Sequence, residues 1–161
     1  MNALFAGLRS LVYATAFVAL WVWIARGVRL YDQYLPVLLP AWAGTLGVFL
    51  VIVGGLIVLS CLSTFVVRGN GTPAPFDPPR TFVAVGPYRY VRNPMYIGAW
   101  VALAGYGLYE HSISVLLFSL IWLMLIHLFV LFVEEPGLEK RFGDSYREYK
   151  KSVNRWIPHR N

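Results

Sequence analysis

The sequence holds one cysteine and few charges. Only 14% of its 161 residues are Asp, Glu, Lys or Arg. A single cysteine excludes an intramolecular disulfide. Cys61 lies inside an apolar run with no base near it in sequence, which reads as a structural thiol rather than a nucleophile. The scarcity of charge, set beside 58% hydrophobic residues and a mean hydropathy of +0.58, excludes an ordinary soluble domain and points to the membrane class. Acid is scarcer than base: eight Asp+Glu against fourteen Lys+Arg leave a net charge of +6. In a soluble protein that balance would suggest nucleic acid. Here the basic residues flank apolar runs, so anionic lipid headgroups are the expected partner, and neither nucleic acid nor a metal ion is expected. The first apolar stretch is long and no small-x-small site follows it before Arg26, which predicts a retained first helix rather than a cleaved signal.

What the sequence has in quantity is long apolar segments. A hydrocarbon core of about 30 Å takes about 20 apolar residues per helix. The runs predict an all-α integral membrane protein of one domain, with four transmembrane helices at about 4–26, 41–67, 95–109 and 112–133 and no Rossmann domain. Trp21 and Trp23 fall where an aromatic belt would sit. Glu110-His111-Ser112 reads as a tight turn between the last two helices, and the third is short for a full span. Gly44, Gly47, Gly54 and Gly55 offer places where helices approach closely. His127, deep in the fourth helix, reads as a packing residue as readily as a functional one.

The polar connection 68–94 carries Gly69, Gly71, Pro73, Pro75, Pro78 and Pro79, which exclude a regular helix over its first half. Phe76, Phe82, Val83 and Val85 argue against disorder. Its end, Gly86-Pro87-Tyr88-Arg89-Tyr90-Val91-Arg92-Asn93-Pro94-Met95-Tyr96, is basic, aromatic and stiffened by two prolines. After the fourth helix, Leu138, Phe142, Tyr146, Tyr149 and Val153 recur at spacings of four, four, three and four. That stripe predicts an amphipathic interfacial helix at about 137–153, its apolar face toward lipid or toward the protein's own pocket. The connection carries Arg68, Arg80, Arg89 and Arg92, and the tail holds seven of the fourteen Lys+Arg. With four passes the two lie on one side, which the positive-inside rule makes cytoplasmic together with both termini; Arg26 and Arg29 fall outside and are outnumbered. The Asn70-Gly71-Thr72 acceptor pattern is discounted on that ground.

A helical hairpin returns the chain to the surface it left. The last two helices therefore bring Glu134-Glu135 back to Arg89, Arg92 and the tyrosines. Adjacent carboxylates at the end of a membrane helix are costly unless paired. One reading is an ion-paired staple; the other is a site.

Arg80-Thr81-Phe82-Val83, Gly86-Pro87-Tyr88, Arg92-Asn93-Pro94-Met95-Tyr96, Glu134-Glu135, and Phe142-Gly143 with Tyr146 and Tyr149 before Ile157-Pro158 occur in an order and spacing that resembles the isoprenylcysteine carboxyl methyltransferase and phospholipid methyltransferase superfamily. The resemblance covers roughly the C-terminal half. It implies an integral membrane enzyme using S-adenosylmethionine. It also implies a cofactor site lined by Arg80, Thr81, Phe82, Val83, Tyr88, Asn93, Pro94, Met95, Tyr96 and Glu134. Tyrosine faces suit the sulfonium, and a carboxylate such as Glu134 suits the amino group. Two positions depart from the family pattern. Asn93 stands where the motif usually has histidine, so it can bind but not titrate. Val130 stands near where the eukaryotic prenylcysteine enzymes carry an arginine resembling a substrate-carboxylate anchor. Glu135 is then the candidate general base or a structural ion-pair partner, and Arg92 holds a phosphate or carboxylate or else anchors the loop.

The expected function is methyl transfer to a lipophilic acceptor, led by O-methylation of the isoprenylcysteine kind. N-methylation of a phospholipid ethanolamine headgroup is the near alternative. The rivals are an NADPH-dependent membrane reductase, for which the 80–96 stretch offers three arginines, and a non-enzymatic membrane protein that binds anionic lipid.

Overall fold

Helix α1, Ala3–Arg29, is followed by a 3-10 turn, Leu30–Tyr34, in a computed structural model that describes residues 3–69 and 82–158. Helix α2 runs Trp42–Thr64 and ends in a π-helical turn, Phe65–Gly69. A 3-10 turn, Gly86–Arg89, leads to helix α3, Pro94–Tyr109. Helix α4, Ile113–Phe129, passes through a second π-helical turn, Val130–Glu134, into α5, Glu135–Phe142; α6 is Asp144–Ser152. The described residues contain no strand.

Among the described residues, three stretches are long and apolar enough to cross a membrane: Leu11–Tyr34, Trp42–Val67 and Ile113–Phe142. The fourth expected span, α3, has 16 residues. At 1.5 Å per residue it reaches about 24 Å, short of a hydrocarbon core of about 30 Å. Pro94 occupies the first helical position, where its missing N–H costs no hydrogen bond, and so sets where α3 begins.

Helices α2 and α3 pack antiparallel through glycine. Gly54 lies against the Gly98–Ala102 backbone and Gly47 against Gly105–Tyr109. A Cβ on Gly105 would stand 2.8 Å from Gly47 O, and one on Gly98 would stand 2.9 Å from Gly54 O. With lipid tails as apolar as the side chains, such backbone approach is what holds helices together in a bilayer. Of the four glycines read as packing positions, Gly55 faces open space, and Gly44 approaches His111. Helix α1 leans on α4 through Trp21, whose ring meets Phe118 at 5.9 Å and Trp122 at 5.6 Å. The large side chains left exposed on α1, α2 and α4, among them Phe17, Trp23, Phe49, Leu56, Leu120 and Met124, form the lipid-facing surface.

At the end away from the polar connection, the α3–α4 turn is fixed from the end of α1 and the 3-10 turn after it. Arg29 forms an ion pair with Glu110. Asp32 Oδ1 accepts from Ser114 N at 2.9 Å, while Ser112 Oγ caps Val115 N at 3.1 Å. Asp32→Ala removes one of two side-chain acceptors at the α4 N-terminus. It is expected to lower stability by about 1 kcal/mol, read as a shift in the thermal unfolding midpoint in detergent.

The tail departs from the single helix expected over 137–153. It breaks at Gly143, whose φ of 56° is left-handed backbone that suits glycine, so α5 and α6 meet at a bend. The predicted stripe still has one side. Tyr146, Tyr149 and Val153 form a buried cluster with Phe82, Ala84, Leu138 and Phe142. Its apolar face is covered by the chain's own segment at Phe82, not left for lipid. Phe82 meets Phe142 at 5.4 Å, Tyr146 at 5.7 Å and Tyr149 at 5.1 Å between ring centroids.

Candidate functional site

The antiparallel course of α3 and α4 puts the start of one beside the end of the other. Tyr96, in the first turn of α3, donates its hydroxyl to Glu134 Oε2 at 2.9 Å. Glu134 is the last residue of the π-helical turn, whose wider winding shifts the carboxylates relative to a regular α4. Glu135 opens α5 and is buried, 4% exposed. Such a carboxylate needs cations, and it has two. Arg92 Nη2 lies 3.0 Å from Oε1; Arg155 donates Nε to Oε1 and Nη2 to Oε2, both at 2.8 Å. The fork from Glu135 raises Arg155 above the ordinary arginine value.

Arg92 is itself 90% buried, its side chain 10% exposed. Its Nε is buried and has no hydrogen-bond partner among the described residues. A buried guanidinium N–H without an acceptor is costly, and an anionic oxygen is the group that best satisfies it.

Asn93 precedes α3 with extended φ and gives the helix its first acceptor, Asn93 O to Ile97 N at 3.2 Å. Its side chain is buried and donates Nδ2 to Arg155 O at 3.3 Å. Pro94 is buried and Met95 half-buried beside it. Tyr88 sits against α2: its ring meets Phe65 at 5.3 Å and its hydroxyl engages the Cys61 thiol. Its carbonyl accepts from the Tyr149 hydroxyl at 2.5 Å. Burial pushes the hydroxyls of Tyr88, Tyr146 and Tyr149 above the ordinary tyrosine range, so they remain neutral donors at physiological pH.

The expected site residues therefore separate into groups. Tyr96, Glu134, Arg92, Glu135 and Asn93 come together. Tyr88 lies beside them and braces the end of α2. Phe82 is taken up in the tail's aromatic cluster, and Val83 next to it is buried. Arg80 and Thr81 fall outside the described residues. Val130, where the resemblance led to a comparison with a substrate-anchoring arginine, is fully buried in the π-helical turn. Sequence reasoning passed over Arg155, which supplies Glu135 with its second cation. The sequence carried no signal for it: Arg89 and Arg92 already balance the Glu-Glu pair on paper, and Arg155 lies twenty residues beyond Glu135, past the bend at Gly143.

An open cleft of about 440 Å³ adjoins this cluster, lined by Glu135, Arg155, Glu139, Lys140, Arg147 and Lys150 with Leu131 and Pro136. Lys150 Nζ pairs with Glu139 Oε2 at 3.0 Å across it.

The chain matches a known family and known proteins in sequence. The phospholipid methyltransferase family model matches residues 42–145. The chain is 41% identical over 78 residues to the protein-S-isoprenylcysteine O-methyltransferase of Schizosaccharomyces pombe, a match covering 47% of this chain and 32% of that enzyme. It thus spans about a third of the fission yeast protein. It is 35% identical over 63 residues to an uncharacterized protein of Haemophilus influenzae, covering 39% of this chain and 100% of that one. The matched model takes in α2, the polar connection, the α3–α4 hairpin and both glutamates, more than half of the sequence, and the chain belongs to the phospholipid methyltransferase family of membrane methyltransferases.

Proposed function

We propose that the chain transfers the methyl group of S-adenosylmethionine to a lipophilic acceptor, and that the acceptor is a carboxylate of the isoprenylcysteine kind. The observation that carries this is the meeting of the 88–96 segment with Glu134 and Glu135 through Tyr96 and Arg92. S-adenosylmethionine, when bound, supplies a methyl already activated on a sulfonium cation. Glu134, oriented by Tyr96, holds its amino group, and the Tyr96 ring offers its face to the positive charge. Asn93, Pro94 and Met95 form the floor beside them. Tyr88, Phe82 and Val83 brace that floor, and Arg80 and Thr81 complete the set from the polar connection. The unpartnered Arg92 Nε supports a seat there for the acceptor's anionic group. The site's task is alignment and exclusion of water.

The acceptor follows from Glu135. Both its oxygens are engaged by arginine, which supports an ion-pair role over that of a general base. A carboxylate acceptor is a nucleophile at neutral pH and needs no base, whereas an ethanolamine headgroup arrives protonated. The second reading, N-methylation of a phospholipid headgroup, is favoured by the family match; Arg92 would then meet the headgroup phosphate. On either reading the site faces the cytoplasm, where the basic connection and tail lie against anionic lipid.

A methyl-transfer assay with labelled cofactor, run against prenylcysteine analogues and extracted membrane lipids, tests this. Base-labile label on the prenylcysteine carboxyl is the expected result. Label on a lipid amine selects the second reading, and label on neither overturns the first proposal. In the same assay Tyr96→Phe is expected to lower kcat/KM about tenfold to a hundredfold, the scale of one hydrogen bond to a charged group.

A further inference from the structure

The last described residues run back across the site. Asn154 O accepts from Arg92 N at 2.9 Å. Arg155 O accepts from Asn93 Nδ2 at 3.3 Å, and its guanidinium forks Glu135 at 2.8 Å on each oxygen. Trp156 donates Nε1 to His127 Nδ1 at 2.9 Å. Three consecutive residues thus reach the segment before α3, the start of α5 and the side of α4. We infer that residues 154–156 are a strap over the methyl-transfer site, with Arg155 as its positioning residue and the Trp156–His127 contact as its anchor. The inference rests on the reading above.

The physical argument starts from what would move without the strap. Glu135 is buried between two guanidinium groups, and Oε1 is shared by Arg92 and Arg155. Each arginine limits where the carboxylate can place its oxygens. Removing Arg155 leaves Arg92 and Glu135 as a lone pair, free to close on each other through both oxygens. That would turn the Arg92 edge away from the position in which its Nε is left for an acceptor. The same residue's carbonyl holds Asn93, so the side chain that precedes Pro94 would lose its orientation too. One residue therefore couples the carboxylate pair to the loop. Lysine cannot replace it fully, because a point charge lacks the planar fork that reaches both oxygens. His127 accepts the Trp156 indole N–H at Nδ1. This gives the deep histidine a role as a docking point. Arg155 acts on the reaction only through Glu135 and Asn93.

The test uses the full chain in lipid nanodiscs, wild type and Arg155→Met, Arg155→Lys and Trp156→Phe, with S-adenosylhomocysteine titration and amide hydrogen exchange. Arg155→Met is expected to weaken S-adenosylhomocysteine binding about tenfold or more. Exchange at 88–93 is expected to quicken at least as much, with α1 and the α2–α3 contact unchanged. Arg155→Lys should recover part of both effects. Trp156→Phe, which removes one N–H and keeps the ring, should give a smaller change in the same direction. Binding within twofold of wild type in a folded Arg155→Met protein overturns the inference. So does exchange that quickens evenly across every helix, which would make Arg155 a general structural residue. If Arg155→Met does not fold, Arg155→Lys decides: an effect confined to 88–93 supports the strap, and wild-type behaviour overturns it. Wild-type protein that fails to bind S-adenosylhomocysteine overturns the methyl-transfer reading instead, and exchange at 88–93 then decides the strap alone.

Discussion

Glu134→Ala protein is expected to fold, to insert into the membrane, and to lose affinity for S-adenosylhomocysteine by about a hundredfold or more. On the proposed reading the substitution removes the carboxylate that receives the cofactor's cationic amino group, and it leaves the Tyr96 hydroxyl without its acceptor. A charge-assisted hydrogen bond contributes about 1.5–3 kcal/mol, and a hundredfold in affinity corresponds to about 2.7 kcal/mol. Folding is expected to survive because the backbone at Glu134 is held by the π-helical turn, while the buried ion pairs belong to Glu135. Glu134→Gln separates the two contributions: it keeps an acceptor for Tyr96 and discards the charge, so its affinity should fall between wild type and alanine. Titration calorimetry on detergent-purified protein reads both. Affinity unchanged in Glu134→Ala would remove Glu134 from the site.

Gly54→Leu and Gly55→Leu should behave oppositely although the positions are adjacent. A Cβ on Gly54 would stand 2.6 Å from Ala102 N and 2.9 Å from Ala102 Cβ, distances that only separation of the helices can relieve. Backbone cannot yield as a flexible side chain does, so a cost of about 3 kcal/mol or more is expected. Because α3 carries Tyr96 and follows directly on Asn93, displacing it also scatters the proposed site; cofactor affinity and the unfolding midpoint should fall together. Gly55 has open space where its Cβ would go, and leucine favours helix over glycine by up to about 1 kcal/mol. Gly55→Leu should be neutral or slightly stabilising. Equal damage from the two would contradict the assigned α2–α3 face.

These two expectations differ in how much of them the sequence reveals. That Glu134 and Tyr96 meet is legible, because a hairpin of two apolar helices returns the chain to its starting level and few polar residues stand there. Which glycine faces α3 is not, since Gly54 and Gly55 are identical in composition and differ only in helical phase. The tail stripe is legible as a period, but its covering partner is not: Phe82 lies some sixty residues earlier, beyond any local pattern. The π-helical turns leave no mark in hydropathy, because Val130-Leu131-Phe132-Val133 is as apolar as the helix before it. Arg155 is hidden for a similar reason. Its role depends on a 20-residue return of the chain past Gly143, a bend whose direction the residue type alone does not give.

The shortness of α3 carries a consequence of its own. Where α3 begins, α2 continues past it, with Thr64 still close to Gly86 of the connection, so the cluster at Tyr96 and Glu134 lies below the end of α2. On the proposed reading, one reactant descends to that level from a three-dimensional solution while the other arrives sideways from a two-dimensional one. Turnover is then governed by the acceptor's mole fraction in the plane of the membrane, and inert lipid slows the reaction as added buffer slows a soluble enzyme.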